Sequence, residues 1–186
     1  VEIEDIMVEV DNMLNQKKKD RDNDYMPPTI ESAIKYEPES NLVVISVPGK
    51  YATDEAKKAL NNGLNVMLFS DNVTIQEEKE LKDLAVSKEL LMMGPDCGTA
   101  IINNVPLAFA NVVKKGHIGV VGASGTGTQE VTVIIDKLGE GVSQVIGTGG
   151  RDLRNEIGGS MMLLGIDALI NDSQTKVILI VSKPPS

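Results

Sequence analysis

A strand that must turn directly into a helix constrains this chain more than any other feature. His117-Ile118-Gly119-Val120-Val121 is an apolar, β-rich run that stops at Gly122-Ala123-Ser124-Gly125-Thr126-Gly127-Thr128-Gln129. Val131, Ile134, Ile135 and Leu138 then recur at helical spacing. Strand, tight loop and helix N-terminus follow one another with no spare residues. Such a turn aims backbone N–H groups at one point, and the helix dipole favours negative charge there. One reading is therefore an anion site at Ser124, Gly125 and Thr126, with the hydroxyls of Ser124, Thr126 and Thr128 as added donors. The other is architectural: Gly, Ser and Thr turn tightly and cap helices, and Thr126 with Gln129 fits a capping box. The spacing is neither Gly-x-Gly-x-x-Gly nor a Walker loop, because no Gly-Lys-Ser/Thr follows, so dinucleotides and nucleoside triphosphates lose their main support.

The same rhythm recurs along the chain. Ile3, Ile6, Met7, Val10, Met13 and Leu14 mark residues 2–15 as an amphipathic helix, and the mixed-charge stretch from Asn15 to Asp24 reads as a solvated linker. Pro27-Pro28-Thr29 opens a short helix through Ala33. Leu42–Val47, Val66–Phe69 and Leu90–Met93 are apolar runs of strand length. Helices over 53–62, stopped by Gly63, and over 74–85, opened by a Thr74/Glu77 capping box, alternate with them. Ile101 to Leu107 reads as a hairpin or crossing segment. After strand 117–122 and helix 127–138 come strand 143–146, a helix through Met161 to Leu164 and Leu169, and strand 177–181. Apolar strands alternating with helices predict an α/β fold of mainly parallel, doubly wound sheets. A break near 100–115 predicts two small units over 29–112 and 113–186, after an N-terminal helix and linker over 1–28.

Ligands of such sheets bind beyond the C-terminal ends of the strands. Those ends carry Pro48-Gly49-Lys50-Tyr51, Ser70-Asp71-Asn72, Gly94 to Thr99, and Gly147 to Asp152. The first three are also ordinary turn chemistry. The loops at Ser124 and Gly149 would end adjacent strands, so Ser124, Gly125, Thr126, Gly149 and Gly150 are expected to wall one anion pocket. Arg151 is either a charged donor there or a solvated turn residue.

Composition narrows the function. A net charge of −9 with only 3% aromatic residues argues against nucleic acid and anionic membrane surfaces as partners. Cys97 is the only cysteine, which leaves no disulfide framework and no thiolate metal site, and fits a reducing cytoplasm. No metal is expected. His117, the only histidine, has neither a carboxylate partner nor a ligand cluster in the sequence, so Ser-His-Asp chemistry is not expected. The start at Val1 and the stop just after strand 177–181 are what a piece of a longer protein would show, since parallel sheets cover such a strand with a following helix.

At Val47-Pro48, Gly94-Pro95-Asp96-Cys97, Gly119-Val120-Val121 with Ser124-Gly125-Thr126, and Gly147-Thr148-Gly149-Gly150-Arg151-Asp152, the sequence resembles the α-subunit fold of succinyl-CoA synthetases. It is similar more closely to the FdrA family of acyl-CoA-synthetase-like proteins, notably over Met67 to Val73 and Gly94 to Phe109. The resemblance runs from about Asn41 to the C-terminus. It implies a Rossmann-like CoA-binding-type domain followed by a flavodoxin-like domain that presents a helix N-terminus to phosphate on a catalytic histidine. Carried over by position, Val47, Pro48, Ser70, Asp71 and Asn72 correspond to the loops lining the CoA-side crevice. Ser124, Gly125 and Thr126 correspond to the phosphate-facing helix start, and Cys97 to the loop near the thiol end of CoA.

Three departures accompany the resemblance. The synthetase phosphohistidine lies beyond the point where the chain stops, a tyrosine after the Ser-Gly-Thr loop is matched by Gln129, and residues 1–30 contain no glycine for the CoA-phosphate loop. The implied function is acyl or carbamoyl group transfer through a phosphate-bearing intermediate, with CoA, phosphate or an acyl or carbamoyl phosphate as ligand. The alternatives are a carbamoyltransferase subunit of oxamate or ureide catabolism and a noncatalytic anion-binding assembly subunit. A homo-oligomer or a partner subunit that brings the ATP chemistry is implied in each case.

Overall fold

A computed structural model describes residues 3–15 and 25–184. Helix α1 (Ile3–Asn15) matches the N-terminal amphipathic pattern, while the expected linker beyond Asn15 lies outside the described residues. Helix α2 (Ile30–Tyr36) starts at the capping box made by Thr29 and Ser32 and runs three residues past Ala33.

The first sheet contains β1 (Leu42–Ile45), β2 (Asn65–Leu68) and β3 (Met92–Met93), parallel and in that order. Its crossovers are α3 (Gly49–Asn61) and α4 (Ile75–Ser87). Val66, Met67 and Leu68 of the central strand are fully buried: Val66 and Leu68 pack with Ala52, Ala56, Ala59 and Leu60 of α3 and Leu81 and Ala85 of α4, while Met67 joins the core on the other face with Met93, Val121 and Ile146. Small residues on α3 let the helix approach the sheet closely. This helix begins at Gly49, four residues earlier than its apolar spacing suggests, with Pro48 at the N-cap position and no side-chain cap hydrogen bond. Thr74 and Glu77 form the expected box at α4: the Glu77 N–H donates to Thr74 Oγ1 at 3.2 Å, and the Thr74 N–H to Glu77 Oε2 at 2.9 Å. The Thr74 hydroxyl, which donates to Glu77 Oε2 at 2.6 Å, and then the Thr74 N–H hold the Glu77 carboxyl below its usual range.

The second sheet has the order β5-β4-β7-β6-β8, built from β4 (Thr99–Ile102), β5 (Val105–Ala108), β6 (Lys115–Gly122), β7 (Val142–Gly147) and β8 (Val177–Val181). Strands β6, β7 and β8 are parallel, and α5 (Gly125–Lys137) and α6 (Ser160–Asn171) connect them. The segment expected as a hairpin is one: Asn103 and Asn104 both take positive φ between β4 and β5, the conformation asparagine tolerates best after glycine. It does not extend the first sheet, however. Ile101 pairs with Val145 of β7, so the hairpin is an antiparallel edge on the second sheet.

Two neighbouring residues of α6 join the two layers. Met161 packs into the core around β2 and α3, and Met162 into the core that contains Val121 and Ile146. Replacing Thr74 by Ala removes the cap of α4 and is expected to lower stability by about 1 kcal/mol, measurable as a lower urea midpoint at unchanged slope.

Candidate functional site

The C-terminal ends of β6 and β7 lie side by side, with Gly122 paired to Gly147, and the loops that follow face each other across a cleft of about 370 Å³. Ser124, Gly125, Thr126, Gly149 and Gly150 all line it, as expected of one pocket. Cys97, Phe69 and Phe109 form the opposite wall, where the two rings meet nearly edge to face at 5.3 Å between centroids. Ser124 is the N-cap of α5, and its Oγ accepts from the Gly127 N–H at 3.3 Å. The Thr126/Gln129 box is therefore not formed. The helix starts two residues sooner, and the Gln129 amide instead donates to Thr99 Oγ1 at 2.8 Å, tying α5 to β4.

Two features distinguish the head of α5. The N–H groups of Gly125 and Thr126 belong to the first turn and have no carbonyl four residues back within the helix. Thr128, which also lines the cleft, is 1% exposed, and its hydroxyl has no hydrogen-bond partner. An orphaned buried hydroxyl costs about 1–3 kcal/mol.

The glycine loop after β7 is held from below by a buried ionic cluster. Lys82 on α4 is fully buried, and its Nζ donates to Glu78 Oε1 and Asp152 Oδ1 at 2.8 Å each and to the Thr148 carbonyl at 3.0 Å, using all three protons. Asp152 in turn accepts from the Met161 N–H at 3.3 Å and the Met162 N–H at 2.9 Å, so its carboxylate occupies the N-terminus of α6, where the cap residue Gly159 offers no side chain. Arg151 completes the cluster with Nε 2.8 Å from Glu78 Oε2 and a second nitrogen donating to the Val73 carbonyl at 2.8 Å. Lys82 thus grips the residue before Gly149-Gly150 and the side chain of Asp152 just after Arg151. Gly149 itself takes φ +85°, and a Cβ there would lie 2.7 Å from the Pro95 carbonyl oxygen, so no other residue fits.

A second cleft, of about 460 Å³, opens beyond the first sheet and is lined by Asp71, Asn72, Thr74 and Arg151. Asp96 and Gly150 line both clefts. Of the residues assigned by resemblance to a CoA-side crevice, Asp71 and Asn72 are here. Val47, Pro48 and Ser70 line neither cleft: Pro48 caps α3, and the buried Ser70 hydroxyl is spent on the Val47 carbonyl.

Residues 113–186 match the family model "CoA binding domain". The chain is 57% identical over 183 residues to the uncharacterized protein YahF of Escherichia coli (strain K12), covering 98% of this chain and 36% of that protein. It is 31% identical to the ADP-forming sulfoacetate-CoA ligase subunit SauD of Bilophila wadsworthia (72% and 48% covered). Identity to the α subunit of the ADP-forming succinate–CoA ligase of Staphylococcus epidermidis is 26% (83% and 51%). The chain resembles acid–CoA ligase α subunits. It spans from about a third to a half of the length of these relatives. Its fold is shared with ATP citrate lyase from Methanothrix soehngenii, at a TM-score of 0.70 and 20% identity over 82% of this chain and 26% of the other. A mixed α/β fold with parallel sheets of the CoA-binding, Rossmann-like kind is common to them.

Sequence reasoning missed the buried cluster and one cation. Arg151 does not serve the anion cleft, because its guanidinium is committed to Glu78 and Val73. The cation that lines the cleft is Lys183, just past β8. Glu78 and Lys82 carried a signal, an i, i+4 acid–base pair on the buried side of an otherwise polar helix. His117 is exposed with Nδ1 3.1 Å from the Gln174 carbonyl oxygen, away from both clefts. Among the described residues no group of three metal-ligating side chains forms, and no helix is long and apolar enough to cross a membrane.

Cys97 is no free nucleophile. Burial pushes its thiol up to about 11, with Sγ 3.8 Å from the Thr99 carbonyl oxygen. Between about pH 8.5, where an unfolded thiol ionises, and pH 11 the folded chain holds a proton that the unfolded chain has lost. Stability from this group is therefore full below that window and falls as pH rises through it, and Cys97→Ser should flatten that fall in a series of urea unfolding curves. Lys82→Met leaves Glu78 and Asp152 without their shared cation. It is expected to cost about 3–5 kcal/mol, measured as a lower urea midpoint.

Proposed function

We propose that this chain is the CoA- and phosphoryl-handling part of an FdrA-like acid–CoA ligase, in which the head of α5 receives a phosphoryl or acyl-phosphate group. The observation that carries the reading is the cleft where the first-turn N–H groups of α5 converge with the orphaned hydroxyl of Thr128 and the loop at Gly149-Gly150. Preorganised donors of this kind stabilise a developing oxyanion without reorganising during reaction. Ser124 fixes the start of the helix, Gly125 and Thr126 contribute N–H groups, and Lys82 and Asp152 hold the opposing loop in position.

We assign CoA to the second cleft, which Asp71 and Asn72 line and which Asp96 and Gly150 connect to the first cleft. When bound, CoA supplies the thiol that accepts the acyl group. The aromatic wall at Phe69 and Phe109 would exclude water from the place where the two ligands meet. The relatives SauD and the succinate–CoA ligase α chain are subunits of ADP-forming ligases, which supports a small acid as substrate and a partner subunit for the nucleotide step. Both ligands are metabolites of the cytoplasm, where we place the protein.

Calorimetric titration of the chain with CoA, and with carbamoyl phosphate in parallel, tests this reading. Micromolar CoA binding that falls at least tenfold in Asp71→Ala is the expected result. Carbamoyl phosphate binding that depends on Thr126, without CoA binding, would move the protein to the carbamoyltransferases, and silence from both ligands would leave an assembly subunit.

A further inference from the structure

The cleft at the head of α5 contains one cation that nothing above has used. Its lining carries two charged residues, Asp96 and Lys183. Lys183 follows β8, the neighbour of β6, and this adjacency brings it back over the glycine loop: a Cβ on Gly150 would lie 2.9 Å from Lys183 Nζ and 3.9 Å from the Ala123 carbonyl oxygen. Gly150 is thus the residue that leaves room for the ammonium group. The ion pairs among the described residues are made by Lys57, Lys58, Lys79, Lys82, Lys114 and Arg151, so Lys183 is not spent on a carboxylate. In a chain of net charge −9, Lys183 balances Asp96 in the lining and leaves the helix N-terminus as the remaining positive pole of the cleft.

We propose that Lys183 is the charge partner of the phosphoryl group in this cleft, lying across from the α5 N–H groups so that the site selects a dianionic phosphoryl oxygen cluster over a monoanionic carboxylate. The inference rests on the phosphoryl reading of the cleft and adds a residue to it. The division of labour follows from chemistry. Backbone N–H groups and the Thr128 hydroxyl give direction but little net charge, whereas an ammonium group is a compact point charge that binds phosphate without fixing its orientation. Asp96, the other charged lining residue, repels any anion that enters, and the lysine offsets it.

Calorimetric titration of the chain with inorganic phosphate tests the proposal, on the unaltered protein, Lys183→Met, Lys183→Arg and Thr128→Val, with CoA as a second probe. Because Lys183 is exposed, its replacement leaves the fold intact. Lys183→Met is expected to weaken phosphate roughly tenfold or more, the loss of one charge-assisted contact, and to flatten its salt dependence, while Lys183→Arg stays within about threefold and CoA affinity is unchanged in both. Phosphate binding that survives Lys183→Met but falls in Thr128→Val would overturn the role of the lysine and leave the anion cleft standing. An equal fall for CoA and phosphate in Lys183→Met would assign the lysine to CoA and also overturn the proposal. Absence of phosphate binding to the unaltered protein would remove the phosphoryl reading itself.

Discussion

The ammonium group of Lys82, buried between two carboxylates and a carbonyl, is the interaction on which the rest of the arrangement depends. It rises from the outer helix of the first sheet and ends beneath the loop of the second. Removing one ammonium and two carboxylates from water is expensive, and hydrophobic residues of similar volume would often serve stability as well or better. What a buried ionic cluster does supply is a single allowed geometry. Three protons on Lys82 meet three acceptors, and the carboxylate of Asp152 also satisfies N–H groups of Met161 and Met162, so a shift of either layer breaks several bonds together.

The two clefts inherit their shape from this joint. Thr148 and Asp152 are pinned, and the residues between them, Gly149, Gly150 and Arg151, have little freedom left. Gly149 can then press against the Pro95 carbonyl, Gly150 can face both clefts, and Arg151 can reach Val73 beside the cap of α4. The two clefts share Asp96 and Gly150 in their walls. A ligase that must bring a thiol to an activated acyl group needs such a shared wall, because the two reacting groups arrive from different sides.

The direction of the electrostatics is notable for an acidic chain. The chain as a whole carries a net charge of −9, while the cleft at the head of α5 brings Lys183 beside a helix N-terminus. Screening over about 10 Å confines the effect of the distant acidic residues, so the groups that line the cleft set the potential inside it.

Much of the frame was legible in the sequence, because it depends on local patterns. Continuous apolar runs, glycine stops and the Thr74/Glu77 box identify strands and helices by spacing alone, and the asparagine pair at 103–104 marks a tight turn. The loops at Ser124 and Gly149 were legible as neighbours because parallel strands joined by a helix pair side by side. Local pattern did not decide the start of α5, where Ser124 displaced Thr126 as cap because its Oγ reaches the Gly127 N–H while Gln129 is drawn to Thr99 on another strand. Nor could it decide which sheet receives the β4–β5 hairpin, what Arg151 and Lys82 bind, or that Lys183 returns to the cleft. Those outcomes rest on contacts between residues as many as 78 positions apart, whose energies exist only once the two sheets have packed. Sequence therefore determined the elements and the ends of the strands where a ligand can bind, and tertiary packing determined which charges reach that place, because an ion pair forms wherever the fold delivers its partners.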